Sequence, residues 1–142
     1  MKRLLSIMVL SAALLFAASC HKNPEGPATP AMVGEWQLSS ISVKSVGYAD
    51  TTVDVYLSFA EDGSFELYQF IGQGRFYKYT GTWEFEGNIL SGKYSSGKAW
   101  GSTYEAAVDG EKLTLVSVKS GETDVYMKAS IPDGVKDQAY EK

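Results

Sequence analysis

From Val33 onward, apolar and polar residues alternate in short runs that Gly, Asp, Asn or Ser interrupts roughly every ten residues. A period of two sends successive side chains to opposite faces, so each run predicts a half-buried β-strand. The first spans residues 33–46 and is expected to bend among its serines. Val53, Val55, Leu57 and Phe59 share a face of the second, and Phe65, Leu67, Gln69 and Ile71 line the third. Between them Glu61-Asp62-Gly63-Ser64 reads as a hairpin turn, because an Asp-Gly pair tolerates the backbone a tight turn needs. In the fourth, Tyr77, Tyr79, Gly81, Trp83 and Phe85 oppose Lys78, Thr80, Thr82, Glu84 and Glu86. Residues 89–94, 99–108, 112–118 and 123–131 continue the series, separated by Gly87-Asn88, Ser95-Ser96-Gly97-Lys98, Asp109-Gly110-Glu111 and Lys119-Ser120-Gly121-Glu122. Pro132-Asp133-Gly134 ends the last strand, and residues 132–142 are expected to form a short tail.

About eight strands joined by tight turns leave two open edges unless the sheet closes. No long segment shows a period of 3.6, so crossover helices and a parallel sheet are not supported. A two-sheet sandwich is the alternative, but it usually needs longer Greek-key connections. The expected fold is therefore all-β: a single antiparallel up-and-down barrel of about eight strands over residues 32–131.

The first 31 residues have a different texture. Lys2 and Arg3 precede an apolar run at 4–16 that is too short to span a bilayer as a mature helix, and small residues lead into Cys20, the only cysteine. This resembles the lipobox of bacterial lipoproteins, which is cleaved before its cysteine and acylated on it. The resemblance implies that residues 1–19 are a signal peptide and that Cys20 carries lipid, anchoring the protein in the cell envelope. His21 after the cysteine, in place of Asp, favours the outer membrane, and the lack of an acidic run behind it favours the periplasmic face over the cell surface. Residues 20–31 then form a Pro-rich tether holding Pro24, Pro27 and Pro30, with too little apolar surface to offset its ordering entropy.

Gly34-Glu35-Trp36 at the start of the first strand looks like the Gly-x-Trp motif that opens lipocalin and other calycin-type barrels. With Gly81-Thr82-Trp83, the run Leu90-Ser91-Gly92-Lys93-Tyr94 and Trp100-Gly101-Ser102-Thr103-Tyr104, residues 32–131 resemble the lipocalin-like domain of small bacterial lipoproteins. The resemblance implies that Gly34 and Trp36 form the barrel-closing motif. It also shows a departure. Lipocalins pack an Arg near the end of the last strand on that Trp, and here the last strand offers Lys128 instead.

Charge and composition narrow the chemistry. Removing residues 1–19 takes away Lys2 and Arg3 and no acids, so the net charge of −4 becomes −6. A chain this acidic, with its lysines scattered, offers no basic stripe to nucleic acid. His21 is the only histidine and lies in the tether, so no His-based triad or His metal site can form within the barrel. Glu84 and Glu86 fall on the polar face of their strand, Asp50 and Asp54 flank a Thr-Thr-Val segment, and Asp62, Asp109 and Glu111 occupy turns. None of these pairs is placed as a hydrolase needs it. Neither an enzyme nor a cofactor or metal is expected.

The aromatics carry the remaining signal. Gln69, Tyr77, Tyr79, Trp100 and Tyr104 are candidate ligand-binding residues on the interior faces, with Ser91, Ser102 and Ser117 as further polar anchors. Two readings stay open. A hollow barrel would bind a small apolar or amphipathic molecule inside. A filled one would act as an interaction protein, docking on an envelope partner through an outward patch of Tyr56, Tyr68, Phe70 and Tyr126.

Overall fold

The computed structural model describes residues 30–41 and 51–142. The signal segment, Cys20, His21, most of the tether, Asp50 and the far end of the expected first strand lie outside these residues. Eight antiparallel strands follow one another around a ring: β1 (Gly34–Ile41), β2 (Val53–Phe59), β3 (Ser64–Ile71), β4 (Tyr77–Glu86), β5 (Ile89–Tyr94), β6 (Tyr104–Asp109), β7 (Lys112–Ser117) and β8 (Thr123–Lys128). Each pairs with its neighbour in sequence, and β1 pairs with β8 to close the barrel. The expected all-β up-and-down barrel is the fold. The bend expected among the serines of β1 is a register shift between Leu38 and Ser40 in its ladder with β8.

The two ends of the ring differ. At one end the chain enters through Pro30, whose carbonyl accepts the Val33 N–H at 2.9 Å, and the turns after β2, β4 and β6 are tight. Gly63, Gly87 and Gly110 in those turns all have positive φ, which explains the glycine at each. This floor holds most of the core. Met32, Trp36, Phe59, Phe65, Trp83, Leu90 and Leu113 are all buried, with the Phe59 and Trp83 rings edge-on at 5.3 Å. The Trp36 indole N–H donates to the Met32 carbonyl at 2.7 Å and that of Trp83 to Ala60 at 3.1 Å, so neither buried ring leaves a donor unpaired. The other end, the mouth, gathers the starts of β2, β4, β6 and β8 and the longer connections.

The wall is thinnest between β5 and β6, where only Ile89 with Glu105 and Leu90 with Tyr104 are in register. Residues 99–108 were expected as one strand, but β6 begins only at Tyr104. The chain first doubles back on β5, with Tyr94 N–H donating to Lys98 and Trp100 N–H to Gly92. Trp100 then turns its ring inward over Gly92 and meets Phe65 edge-on at 5.0 Å, which carries the backbone out of line with β6.

The end of the chain is more than a tail. Beyond Ile131 it forms a short helix, α1 (Asp133–Gln138), and a two-residue strand, β9 (Tyr140–Glu141), parallel to the start of β4. A helical crossover returns the chain from floor to mouth along the outside of the barrel, which makes the pairing parallel. Val135 and Ala139 pack on Tyr56, Tyr68, Ile131 and Phe76 in a second apolar cluster. Glu35 pins this strap: its carboxylate accepts the Ile131 N–H and pairs with Lys136, both at 2.7 Å.

The strap overturns the expectation of an outward aromatic patch. Tyr56 and Tyr68 do point outward, yet the strap buries them, and the Phe70 ring packs at 5.5 Å from Phe76. Tyr126 belongs to the interior cluster instead.

Candidate functional site: a cavity in the mouth half of the barrel

Above the packed floor the barrel is hollow. A cavity of about 710 Å³ opens at the mouth, and a smaller one of about 110 Å³ lies deeper, beside Phe65, Trp100, Tyr104 and Asp124. The strand order separates the lining into two walls. Leu38 of β1, Val53 and Val55 of β2, and Leu67 and Ile71 of β3 make one side aliphatic. Tyr79 of β4, Tyr94 of β5, Tyr104 of β6, and Asp124 and Tyr126 of β8 make the other aromatic and polar. Gln69 interrupts the aliphatic side, and exposed Lys98 and Lys142 stand at the rim. A cavity of this size, mostly apolar with a few convergent polar groups, is the usual form of a small-molecule site.

The polar wall is electrostatically distinctive. Asp124 is half-buried, and burial followed by the nearby Glu122 charge raises its carboxyl above the ordinary value. Burial likewise raises the phenols of Tyr94 and Tyr104, the latter with help from Asp124. Tyr126 is shifted furthest upward, by burial and then by Asp124. All three phenols are therefore neutral donors at neutral pH. Among the described residues, no side-chain hydrogen bond satisfies Tyr94, Tyr104, Tyr126 or the Asp124 carboxylate, while no buried polar atom is orphaned. Their free groups thus face the cavity space.

Of the residues expected to bind a ligand, Gln69, Tyr79 and Tyr104 line the large cavity, and Trp100 lines the deeper one with Tyr104. Tyr77 lines neither. Its ring is 38% exposed, lies edge-on to Tyr140 at 6.2 Å, and carries Lys142 Nζ at 4.8 Å from its centre. The pairing of β9 beside it holds it at the outer rim. Ser91 and Ser102 open on a separate recess beside Thr82 and Glu84, and the Ser117 hydroxyl bonds to that of Ser102 at 2.9 Å. Tyr94, also expected on an interior face, lines both cavities. Sequence reasoning placed Tyr126 outward and missed Asp124. The usable signal was that Asp124, Tyr126 and Lys128 share one face of β8.

The carboxylates considered for hydrolysis are apart. Glu84 and Glu86 are exposed, Asp62 caps the Ser64 N–H and hydroxyl in its turn, and Asp54 accepts from Gln37 at 3.4 Å on the outer face. Among the described residues no three His, Cys, Asp or Glu side chains converge as a metal site.

At the floor, Gly34, Trp36 and Lys128 form one unit. Trp36 and Lys128 face each other across the β1–β8 ladder, with Lys128 Nζ 5.3 Å from the ring centre. A Cβ on Gly34 would sit 3.3 Å from Lys128 Cε, and its φ of +132° strains any other residue. Glycine leaves room for the lysine stem to lie over the indole, and Lys128 takes the place of the arginine.

No curated protein sequence matches this chain. A solved structure of a REP1-NXSQ fatty acid transporter aligns with 70% of this chain and 97% of its own, at 15% identity and a TM-score of 0.41. A likeness this shallow says nothing of what the cavity holds. The family comparison is decisive: the model of the lipocalin-like domain matches residues 32–115, from the buried Met32 of the floor to Leu115 of β7. With its Gly-x-Trp floor, closed ring of eight strands and hollow mouth, the chain belongs to the lipocalin-like domain family.

Proposed function

We propose that this protein is a non-catalytic binding module that holds a small amphipathic molecule in the mouth half of its barrel. The observation that carries the reading is the division of the cavity of about 710 Å³ into an aliphatic wall on β1–β3 and a tyrosine-rich wall on β4, β5, β6 and β8. A molecule with one apolar and one polar side satisfies both walls at once, which neither a pure hydrocarbon nor a fully polar solute does. Burial of Tyr56 and Tyr68 under the strap takes away the surface on which the docking alternative rested.

The lipobox-like segment supports a lipid anchor on Cys20 after cleavage, with the barrel tethered to the periplasmic face of the outer membrane. Replacing Cys20 by Ser should abolish membrane fractionation and maturation together. A variant that still sediments with the outer membrane at mature size removes the anchor from the proposal.

Native mass spectrometry of the mature protein from its own host tests the binding function. A reproducible added mass that disappears in Tyr104→Trp, with the melting temperature kept, is the expected result. A clean mass, together with no thermal shift across lipids, porphyrins and aromatic metabolites, would overturn it.

A further inference from the structure

Among the described residues one acidic side chain lines the cavity, and its surroundings point to a class of ligand. Asp124 sits where the large and small cavities meet, lining both, next to the Tyr104 and Tyr126 phenols. A half-buried carboxylate normally finds a cation or several donors, because removing it from water is otherwise costly. Among the described residues Asp124 has none of these: the ion pairs there are Lys78 with Glu66 and Lys136 with Glu35, and both lie on the outside of the barrel. Lys98 and Lys142 reach the rim without pairing to it.

Resting on the reading of the barrel as a binding module, we propose that the preferred ligand is an alkyl amine, its ammonium group set against Asp124 and its tail along Leu38, Val53, Val55 and Leu67. The ammonium would complete a charge-assisted hydrogen bond and lie among the electron-rich faces of the surrounding tyrosines. A ligand carboxylate at the same depth would meet Asp124 charge to charge. Its alternative is the rim, where Lys98 and Lys142 are exposed and their charges are screened by water and salt. The desolvated charge is the one that discriminates.

The test compares octylamine, octanol and octanoate, which share one tail, by titration calorimetry on the purified full chain. Octylamine is expected to bind about tenfold or more tightly than the other two, in line with the loss usual when a desolvated ion pair lacks a partner. Asp124→Asn should bring octylamine down to the level at which octanol binds the parent, while an unchanged far-ultraviolet circular dichroism spectrum shows that the variant is folded. On the unmodified chain, added salt should weaken octylamine far less than it weakens any octanoate held at the rim, because a pair out of water is screened less than one at the surface. Octanoate binding as tightly as octylamine would overturn the amine assignment in favour of an anion held at the lysine rim. Equal binding of octanol and octylamine, or an unaffected Asp124→Asn, would overturn it in favour of an apolar site. If none of the three binds, the cavity reading fails, and the amine assignment with it.

Discussion

Lys128 Nζ stands 5.3 Å from the centre of the Trp36 ring, on the residue directly opposite it in the β1–β8 ladder. The ring itself is wholly buried, so the lysine stem is what separates it from water at the floor. Lys128→Ala should cost about 1 kcal/mol through lost cation–π attraction and stem packing, read by urea denaturation. Lys128→Arg should retain or raise stability, since a guanidinium stacks on the same face. An alanine variant as stable as the parent would show that the contact contributes nothing.

Two glycines in β4 and β5 are fixed by space rather than by backbone conformation. A Cβ on Gly92 would lie 2.5 Å from the Trp100 ring, and one on Gly81 would run into the Lys93 carbonyl and the Phe65 ring. Gly92→Ala should destabilise by about 1–3 kcal/mol, the usual cost of overpacking. It should also shift Trp100 fluorescence as the ring is pushed from beneath the thin β5–β6 seam. Gly101→Ala, with nothing within 4 Å of its Cβ position, is the matched control and should be nearly neutral.

Removing residues 132–142 should uncover Tyr56 and Tyr68 and leave Glu35 without its lysine. The shortened protein is expected to melt lower, bind an apolar dye and associate, as proteins with exposed apolar patches do. A truncated chain that stays monomeric with an unchanged melting temperature would rule out a stabilising role for the strap. Acid should loosen the same contact. Burial alone would raise Glu35, but the hydrogen bonds from Lys136 and Ile131 outweigh it, and the group sits below its ordinary value. Its contribution is therefore present above the ordinary carboxylate range and is lost as pH falls through the lowered one. A lower protection factor for the Ile131 amide at acid pH, relative to its intrinsic exchange at that pH, is the measurable consequence, and Glu35→Gln should remove this pH dependence.

Asp124 has the opposite sign. Its folded-state value is raised, so the folded chain holds this proton to higher pH than the unfolded chain does. Stability drops as pH rises through that interval and stays lower above it. Asp124→Asn should therefore raise the melting temperature at neutral pH and flatten that part of the pH profile. A lower melting temperature would show that the carboxylate has a stabilising partner.

The barrel was legible in the sequence because most strands alternate cleanly and most turns carry a glycine where positive φ is needed. β8 shows where that reading fails. In Thr123-Asp124-Val125-Tyr126-Met127-Lys128 the apolar Val125 and Met127 suggest the inward face, yet Met127 is 42% exposed and the polar triplet Asp124, Tyr126 and Lys128 takes the opposite face. Each member of that triplet has an interior role: Asp124 lines the cavity, Tyr126 joins the core and Lys128 covers Trp36. Alternation reports burial, and a strand whose inward positions serve a site instead of a core reads inside-out. The strap was illegible for another reason. Six helical residues including Gly134 are too few to show a period, and its partners Tyr56 and Tyr68 are distant in sequence.

The chain enters at the floor, where Pro30 and Met32 close the barrel, while every group of the site opens at the other pole. Anything joined ahead of Pro30, whether a natural attachment or a sensor chip, therefore grips the molecule by its blind end. The opening is left turned toward the surrounding fluid, so exchange of a guest molecule need not compete with the attachment. The same polarity suits the barrel to immobilised binding assays, in which coupling through the leading segment keeps every copy loaded from the same side.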